Sequence, residues 1–396
     1  MEIQNLKTIE ITKQAARKYS DGYPRLNVRD FVERYAGADG EFIRLVCEKS
    51  FVAYAYLAKQ RNNDGWILAT KEQAVPNQEF FRKLFTMAQI RRKAFYYQAE
   101  TNAFRFFNGA GDGLGGITID YYAGYYVFTF DNKGIYYQRA ELYRAFAEAV
   151  PDANGVYEKL QFNVQKDALK TQHVSGQTAP EKLEILQEGL RLQVALNAGM
   201  LEASLDKRVL MNALLDGRAA AKIVLNLFSD DGALSIAAMR GGAFKTVNVD
   251  LTAKAMKQAA ENFTLNGITP EKQELRALDV TSYLDYAQKH HIKYDMVIID
   301  PPVFVRSKRG TFSLTKDYPA LIVAALKTVK KGGSLVLTAN TPTLTLKQFK
   351  VLLTDVFRKT GCSFELGDIF TAPEDFVLNK KEHVGSAFKS IVVTVG

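Results

Sequence analysis

Cysteine and histidine are scarce in this 396-residue chain, which holds two of the first and four of the second. Two cysteines, Cys47 and Cys362, cannot build a disulfide framework or a structural zinc site, and they fit a reducing compartment. His173, His290, His291 and His383 lack H-x-x-x-H spacing, and the chain has no C-x-x-C pair, so no metal is expected. No run approaches the roughly 18 uncharged apolar residues of a membrane span. The opening MEIQNLKTIEITKQ has no apolar core of the kind a signal peptide carries. The expectation is a cytoplasmic chain with no membrane partner. A G-x-S-x-G hydrolase elbow, internal repeats and low-complexity tracts are also missing.

What remains is ordinary globular material, 47% hydrophobic and 24% charged, enough for two or three domains. Its 52 Lys and Arg against 43 Asp and Glu leave a net charge of +9. That surplus suits nucleic acid but also a solvated Lys-rich surface, so its location matters more than its sum. Residues 81–110 carry Arg82, Lys83, Arg91, Arg92, Lys93 and Arg105 against Glu100 alone, interleaved with Phe95, Tyr96, Tyr97 and other aromatics. Arginines grip phosphates and aromatics stack on unpaired bases, so the window is a candidate RNA-binding segment. Phe81, Leu84, Phe85 and Ala88 follow i, i+3, i+4, i+7 spacing, which predicts a helix whose apolar face is packing and whose opposite, basic face is a nucleic-acid candidate.

Three blocks emerge. Residues 1–72 read as short strands (EFIRLVC, SFVAYAYLA, DGWILAT) with two helical pieces. Residues 73–190 begin with the basic helix and continue through a glycine-punctuated hairpin, a further helix and more strands, an α+β pattern. Residues 191–396 alternate strand and helix. IVLNLF, FKTVNVD, LRALD, KYDMVIID and GSLVLTAN are strands of a doubly wound parallel sheet, and SFELGDIF with KSIVVTV adds an antiparallel edge pair.

In such a sheet the ligand sits beyond the carboxyl ends of the strands. After IVLNLF come Ser229 and Gly232, the glycine allowing close backbone approach, without a G-x-G-x-x-G run at this point. After the second strand, Asp250 is placed to accept from ribose hydroxyls, and after the third, Asp279 can receive an adenine amino group. An acid of this kind taken alone is more often a helix cap or a solvated side chain; three successive strands each ending in a fitting group carry the reading. The fourth strand ends in Asp300-Pro301-Pro302-Val303-Phe304. Consecutive prolines fix φ and leave carbonyls free, so an acid, a rigid turn and an aromatic stand ready to hold a planar base. Arg306, Lys308 and Arg309 follow as phosphate contacts or a solvated loop.

At these residues the chain resembles the PUA-domain-bearing class I S-adenosylmethionine (SAM)-dependent methyltransferases of 23S ribosomal RNA that act on cytosine C5. The resemblance rests on LNLFSDDGALSIAA, VNVD, LDV, IDPPVFVRSK and GGSLVLTAN, with GDGLGGITID in the central part. It implies a small PUA-like β-barrel, a central α+β domain and a Rossmann-like catalytic domain. It also implies SAM as cofactor, held by Phe228, Ser229, Gly232, Asp250, Asp279 and Asp300. Asp300, Pro301, Pro302 and Phe304 would face the methyl group and target base. RNA is the implied partner, and homodimerisation stays open. The DPPxF stretch also resembles a guanine-N7 methyltransferase of large-subunit RNA.

Three departures bear on the chemistry. C5 methylation needs a thiolate that adds to C6, and the family's Cys position is Asn340 here. The family's Tyr-Thr in the SAM loop is Asp230-Asp231, and Asn197–Arg208 keeps Leu205, Asp206 and Arg208 but not the preceding Lys-Thr-Gly. Without the Cys, transfer to a nitrogen lone pair is the easier reaction. The alternatives are a non-catalytic RNA-binding or ribosome-assembly protein on a decayed methyltransferase fold and, last, an NAD-dependent oxidoreductase.

Overall fold

The computed structural model describes residues 6–60, 63–162, 171–197, 202–307, 310–381 and 387–396. Lys308, Arg309 and His383 lie outside them. The chain forms two compact units. The first takes residues 1–183, 194–202 and 374–385, and the second takes 184–193, 203–373 and 386–396.

In the first unit, β1 (Lys7–Glu10), β2 (Arg25–Leu26), β3 (Phe42–Cys47), β4 (Ser50–Leu57) and β5 (Gly65–Ala69) make one sheet in the order β1-β3-β4-β5-β2. Thr12 caps α1 (Lys13–Ser20) by accepting from the Ala15 amide at 3.2 Å, and α1 buries Ala15 and Tyr19 in one core with Ile43, Leu45 and Ala55. A second sheet, in the order β10-β9-β8-β7-β6, joins β6 (Ala103–Asn108), β7 (Ile117–Tyr122), β8 (Tyr125–Phe130), β9 (Gly155–Leu160) and β10 (Thr171–Gly176). Ala123 and Gly124, at φ 48° and 98°, turn β7 into β8, the positive φ pair that a two-residue hairpin requires.

The predicted basic helix is α2 (Gln78–Arg91), capped by Asn77 and burying Phe81, Phe85 and Ala88 as its spacing requires. With α3 (Lys133–Tyr137) and α4 (Arg139–Ala149) it closes a core of aromatic rings. Phe85 meets Phe107, Phe128 and Phe146 edge to face at 5.5, 6.1 and 5.6 Å, an arrangement each ring's quadrupole favours.

Part of the basic window is already engaged inside the protein. Arg92 is 1% exposed, and its guanidinium donates to both Asp112 oxygens at 2.8 and 2.7 Å, to the Arg105 carbonyl at 2.9 Å and to the Asp375 carbonyl at 2.5 Å. Arg91 donates to the same Asp112 at 2.8 Å, Arg105 pairs with Asp120 at 2.6 Å, and Arg82 pairs with Glu79 at 2.7 Å. Buried charge survives only when paired and hydrogen-bonded, and Arg92 and Arg105 are spent on that role.

A hairpin of β11 (Leu183–Gln187) and β12 (Leu190–Val194) follows. The second unit then runs through α5 (Arg208–Ala213), β13 (Ile223–Leu227), α6 (Ala233–Arg240), β14 (Lys245–Asp250), α7 (Ala253–Leu265), β15 (Glu274–Ala277), α8 (Val280–Lys289) and β16 (Tyr294–Ile299). A short hairpin of β17 (Phe304–Ser307) and β18 (Gly310–Ser313) precedes α9 (Leu314–Leu326), β19 (Val329–Asn340), α10 (Leu346–Thr360), β20 (Phe364–Thr371) and β21 (Phe388–Val395). The sheet order is β15-β14-β13-β16-β19-β21-β20, parallel through β19 and antiparallel at the last two strands, as the sequence predicted.

The direction of winding reverses between β13 and β16, which opens a crevice at their carboxyl ends. Register aligns it: Leu227 pairs with Val249 and with Ile299, and Ile299 pairs with Leu337. The residues that follow these positions therefore leave the sheet side by side. Among the described residues no helix is long and apolar enough to cross a membrane.

Asp112→Ala should destabilise the first unit by about 3–5 kcal/mol, because it leaves the Arg92 guanidinium buried without its partner. Chemical denaturation checks this. An Arg92→Met, Asp112→Leu pair, which removes both charges, should cost clearly less.

Candidate functional site

A cavity of about 410 Å³ lies at the carboxyl edge of the second unit's sheet, where the strand order reverses. Phe228, Asp250, Asp279, Asp300, Pro301 and Pro302 line it, so six of the nine residues singled out from sequence meet there. Ser229, Gly232 and Phe304 are not among the lining residues. Gly232 has φ 79° and starts α6, and a Cβ there would approach Ala259 of α7 to 3.0 Å, so it serves helix packing. Phe304 is 55% exposed, with the Arg306 guanidinium 5.8 Å from its ring centre.

The loop after β13 is strained. Phe228 and Asp230 hold φ 58° and 47°, a left-handed conformation that side-chain-bearing residues avoid and that collects at functional sites. The Asp250 carboxylate, reaching across from β14, accepts from the Asp230 amide at 3.2 Å and from the Thr252 amide at 3.3 Å. Ser229 is buried, and its hydroxyl has no hydrogen-bond partner. Asp279 caps α8, accepting from the Thr281 and Ser282 amides at 3.0 and 3.2 Å, while also facing the cavity. The helix cap and a place in the cavity wall are compatible in this acid.

Lys207 supplies the cation. Its ammonium pairs with Asp300, with side chains only 15% and 7% exposed, and Asp300 also accepts from the Thr338 hydroxyl. Burial pulls the Lys207 pKa down, but Asp300, Asp206 and Asp230 outweigh it and hold it above the ordinary lysine value. Asn340, at the end of β19, faces the cavity and donates to Asp206 at 2.6 Å. No thiol lines this cavity among the described residues; Cys362 Sγ lies 3.4 Å from the Ser363 carbonyl.

Sequence reasoning missed Lys207, Leu251, Thr252, Val280, Val303 and Val305 as lining residues. Lys207 had a signal: it interrupts the Leu-Asp-Gln-Arg pattern with a charge. The others are generic apolar or capping residues with no signal at all.

Carboxylates crowd the loop. Burial first, then Asp230 beside it, pushes Asp231 up to about 7, and burial also raises Asp230 against the pull of Lys207. A site with this excess of acid favours a cationic ligand. The apolar Phe228, Leu251, Val280 and Val303 give a flat aromatic group a surface, and the unpartnered Ser229 hydroxyl sits beside them in the loop. A nucleoside carrying a sulfonium and an ammonium fits that set.

Comparison with known proteins agrees. Residues 116–377 match the family profile described as S-adenosylmethionine-dependent methyltransferase, and residues 9–70 match a PUA-like domain. The Bacillus subtilis (strain 168) protein YwbD, provisionally named a ribosomal RNA large subunit methyltransferase, is 35% identical over 94% of this chain and 95% of its own. Ribosomal RNA large subunit methyltransferase I of Aeromonas salmonicida (strain A449) is 28% identical over 82% of each chain. The crystal structure of SMU.776, a provisionally assigned methyltransferase complexed with S-adenosylhomocysteine (SAH), superposes with a TM-score of 0.91 at 34% identity, covering 98% of this chain and 100% of that one.

The raised carboxyls set a pH dependence. An unfolded Asp loses its proton near pH 3.9, about three units below the native Asp231. Between those values the native state holds a proton that the unfolded chain has released, so stability falls as pH rises from about 4 to about 7. Asp231→Asn keeps the oxygen that accepts from the Ala233 amide at 3.1 Å but cannot ionise. Denaturation midpoints at pH 5 and 7.5 should therefore lie closer together in Asp231→Asn than in the wild type.

Proposed function

We propose that this chain, which belongs to the S-adenosylmethionine-dependent methyltransferase family, methylates a base of large-subunit ribosomal RNA. The observation that carries the reading is the cavity where Asp250, Asp279 and the Asp300-Pro301-Pro302 turn converge at the reversal of strand order. The names of the relatives that match along most of the chain support the substrate. On this reading the chain works in the cytoplasm, residues 1–72 contact RNA, 73–190 form the central part and 191–396 carry the reaction.

SAM, when bound, supplies a methyl group on a positively charged sulfur. Asp250, fixed by two backbone amides, offers acceptor oxygens to the ribose hydroxyls. Asp279 stands by the adenine end with Leu251 and Val280 and Phe228 by the methionine end, with the unpartnered Ser229 hydroxyl next to Phe228 in the chain. Asp300 and the free carbonyls of the Pro301-Pro302 turn accept from an amino group of the target base and hold its acceptor atom in line. Phe304 and Arg306, exposed beside the mouth, receive the flanking RNA.

The acceptor is a nitrogen lone pair. C5 chemistry needs a thiolate bonded to the base, and the position at the end of β19 holds Asn340, tied to Asp206 at 2.6 Å. A nitrogen acceptor needs alignment and no covalent attachment to the protein.

Asp250→Ala should weaken SAH binding by about 10-fold or more, the worth of a charge-assisted hydrogen bond, measured by calorimetry on the purified chain. Asp300→Ala should lower methylation by about 100-fold, the usual cost of a misplaced acceptor. Mass spectrometry of rRNA nucleosides from cells carrying the wild-type or variant gene reads it. An unchanged nucleoside profile in cells lacking the protein would overturn the function, and loss of a 5-methylcytosine would overturn the nitrogen acceptor.

A further inference from the structure

The first unit carries a cavity of its own, about 430 Å³, that the methyltransferase site does not use. It lies where α2 runs into a short 3₁₀ turn, Lys93–Tyr97, and is walled by the tyrosines of β7 and β8. Tyr96, Tyr121 and Tyr126 form a fixed wall. Tyr121 sits 5.2 Å from Tyr96 and 5.1 Å from Tyr126, ring centre to ring centre, and the Tyr96 and Tyr126 hydroxyls bond each other at 2.9 Å. Two of the wall's three hydroxyls thus satisfy each other, and the wall presents rings. Tyr97 stands at the mouth, 80% exposed, and Ile90 beside it is 58% exposed. Lys93 also lines the cavity and is exposed, and Gln89 and Asp152 supply polar groups at the rim.

We infer that this tyrosine-walled cavity binds an unpaired nucleotide of the RNA substrate, its base stacked on Tyr97 and its phosphate at Lys93. The inference rests on the RNA reading above. A large, exposed aromatic costs nothing when a base covers it, because every base offers a π-face. A lysine at the rim neutralises the phosphate that any stacked nucleotide brings, whereas a purely apolar partner would leave Lys93 and Asp152 desolvated. The cavity also gives the basic, aromatic window of residues 81–110 a role once Arg92 and Arg105 are withdrawn into the structure.

A ten-residue ribo-oligonucleotide with 2-aminopurine at its centre tests the assignment, titrated with the full chain while the probe's fluorescence is followed. The wild type should quench it, since stacking does. Tyr97→Ala should bind roughly 5- to 100-fold more weakly and lose the quenching, the range for one stacked base. Tyr97→Phe should restore both, and Lys93→Gln should lower the salt dependence of binding by about one phosphate contact. Wild-type affinity and quenching in Tyr97→Ala would overturn the inference. So would a wild-type dimer that Tyr97→Ala converts to a monomer in sedimentation, because the patch would then be covered by a second copy. SAH calorimetry on the same proteins separates the two readings: loss of SAH binding in the wild type removes the methyltransferase reading alone, while the quenching comparison still decides this cavity.

Discussion

The pairing of Lys207 with Asp300 is the contact on which the catalytic unit's site depends. Asp230, Asp250 and Asp300 all face one cavity, and three carboxylates so close would repel one another and whatever anionic part of a ligand approached. One ammonium, nearly out of water, offsets that repulsion. Removing two charges from solvent is expensive, and the pair is tolerable only because its remaining valences are met. Thr338 donates to Asp300, and Asn340 donates to Asp206, the neighbour of Lys207. The segment before α5, the turn after β16 and the end of β19 are thereby joined at one point. Asp231 feels Lys207 too, but burial and the neighbouring Asp230 outweigh that pull, which is why it keeps its proton to near neutrality.

Much of this was written in local pattern. The five parallel strands, the antiparallel edge pair and α2 follow from apolar runs and spacing, because burial on both faces or on one stripe leaves a periodic trace. Asp250, Asp279 and Asp300 were legible because a strand's end is a recognisable place. Lys207 left only the trace of a charge inside the Leu-Asp-Gln-Arg pattern, and its role stayed hidden because its partner lies 93 residues away. Arg92 and Arg105 were misread for the same reason: charge counts as exposed until its partner is known, and Asp112 and Asp120 announce nothing. Gly232 was read as room for a ligand, and the requirement visible in the fold is room for α7.

The aromatic side chains show how little composition says about use. Phe85, Phe107, Phe128 and Phe146 close a core, whereas Tyr97, a few residues from Phe95 in the same short turn, faces solvent. Hydroxyls explain part of the division. In the wall of the first unit's cavity Tyr96 and Tyr126 satisfy each other, so they can be buried at a surface that still has an open side.

The first unit takes residues 374–385 from late in the chain, and the Arg105 amide waits for the Asp375 carboxylate 270 positions downstream. Ribosomes add roughly 5–20 residues per second, so the 283 positions between Arg92 and Asp375 leave the Arg92 guanidinium short of one acceptor for about 14 to 57 seconds. Its sheets can form in that interval, but its last strap cannot. The protein is therefore stitched as well as folded: six of the seven strands of the second unit's sheet are synthesised before the segment that fastens the first.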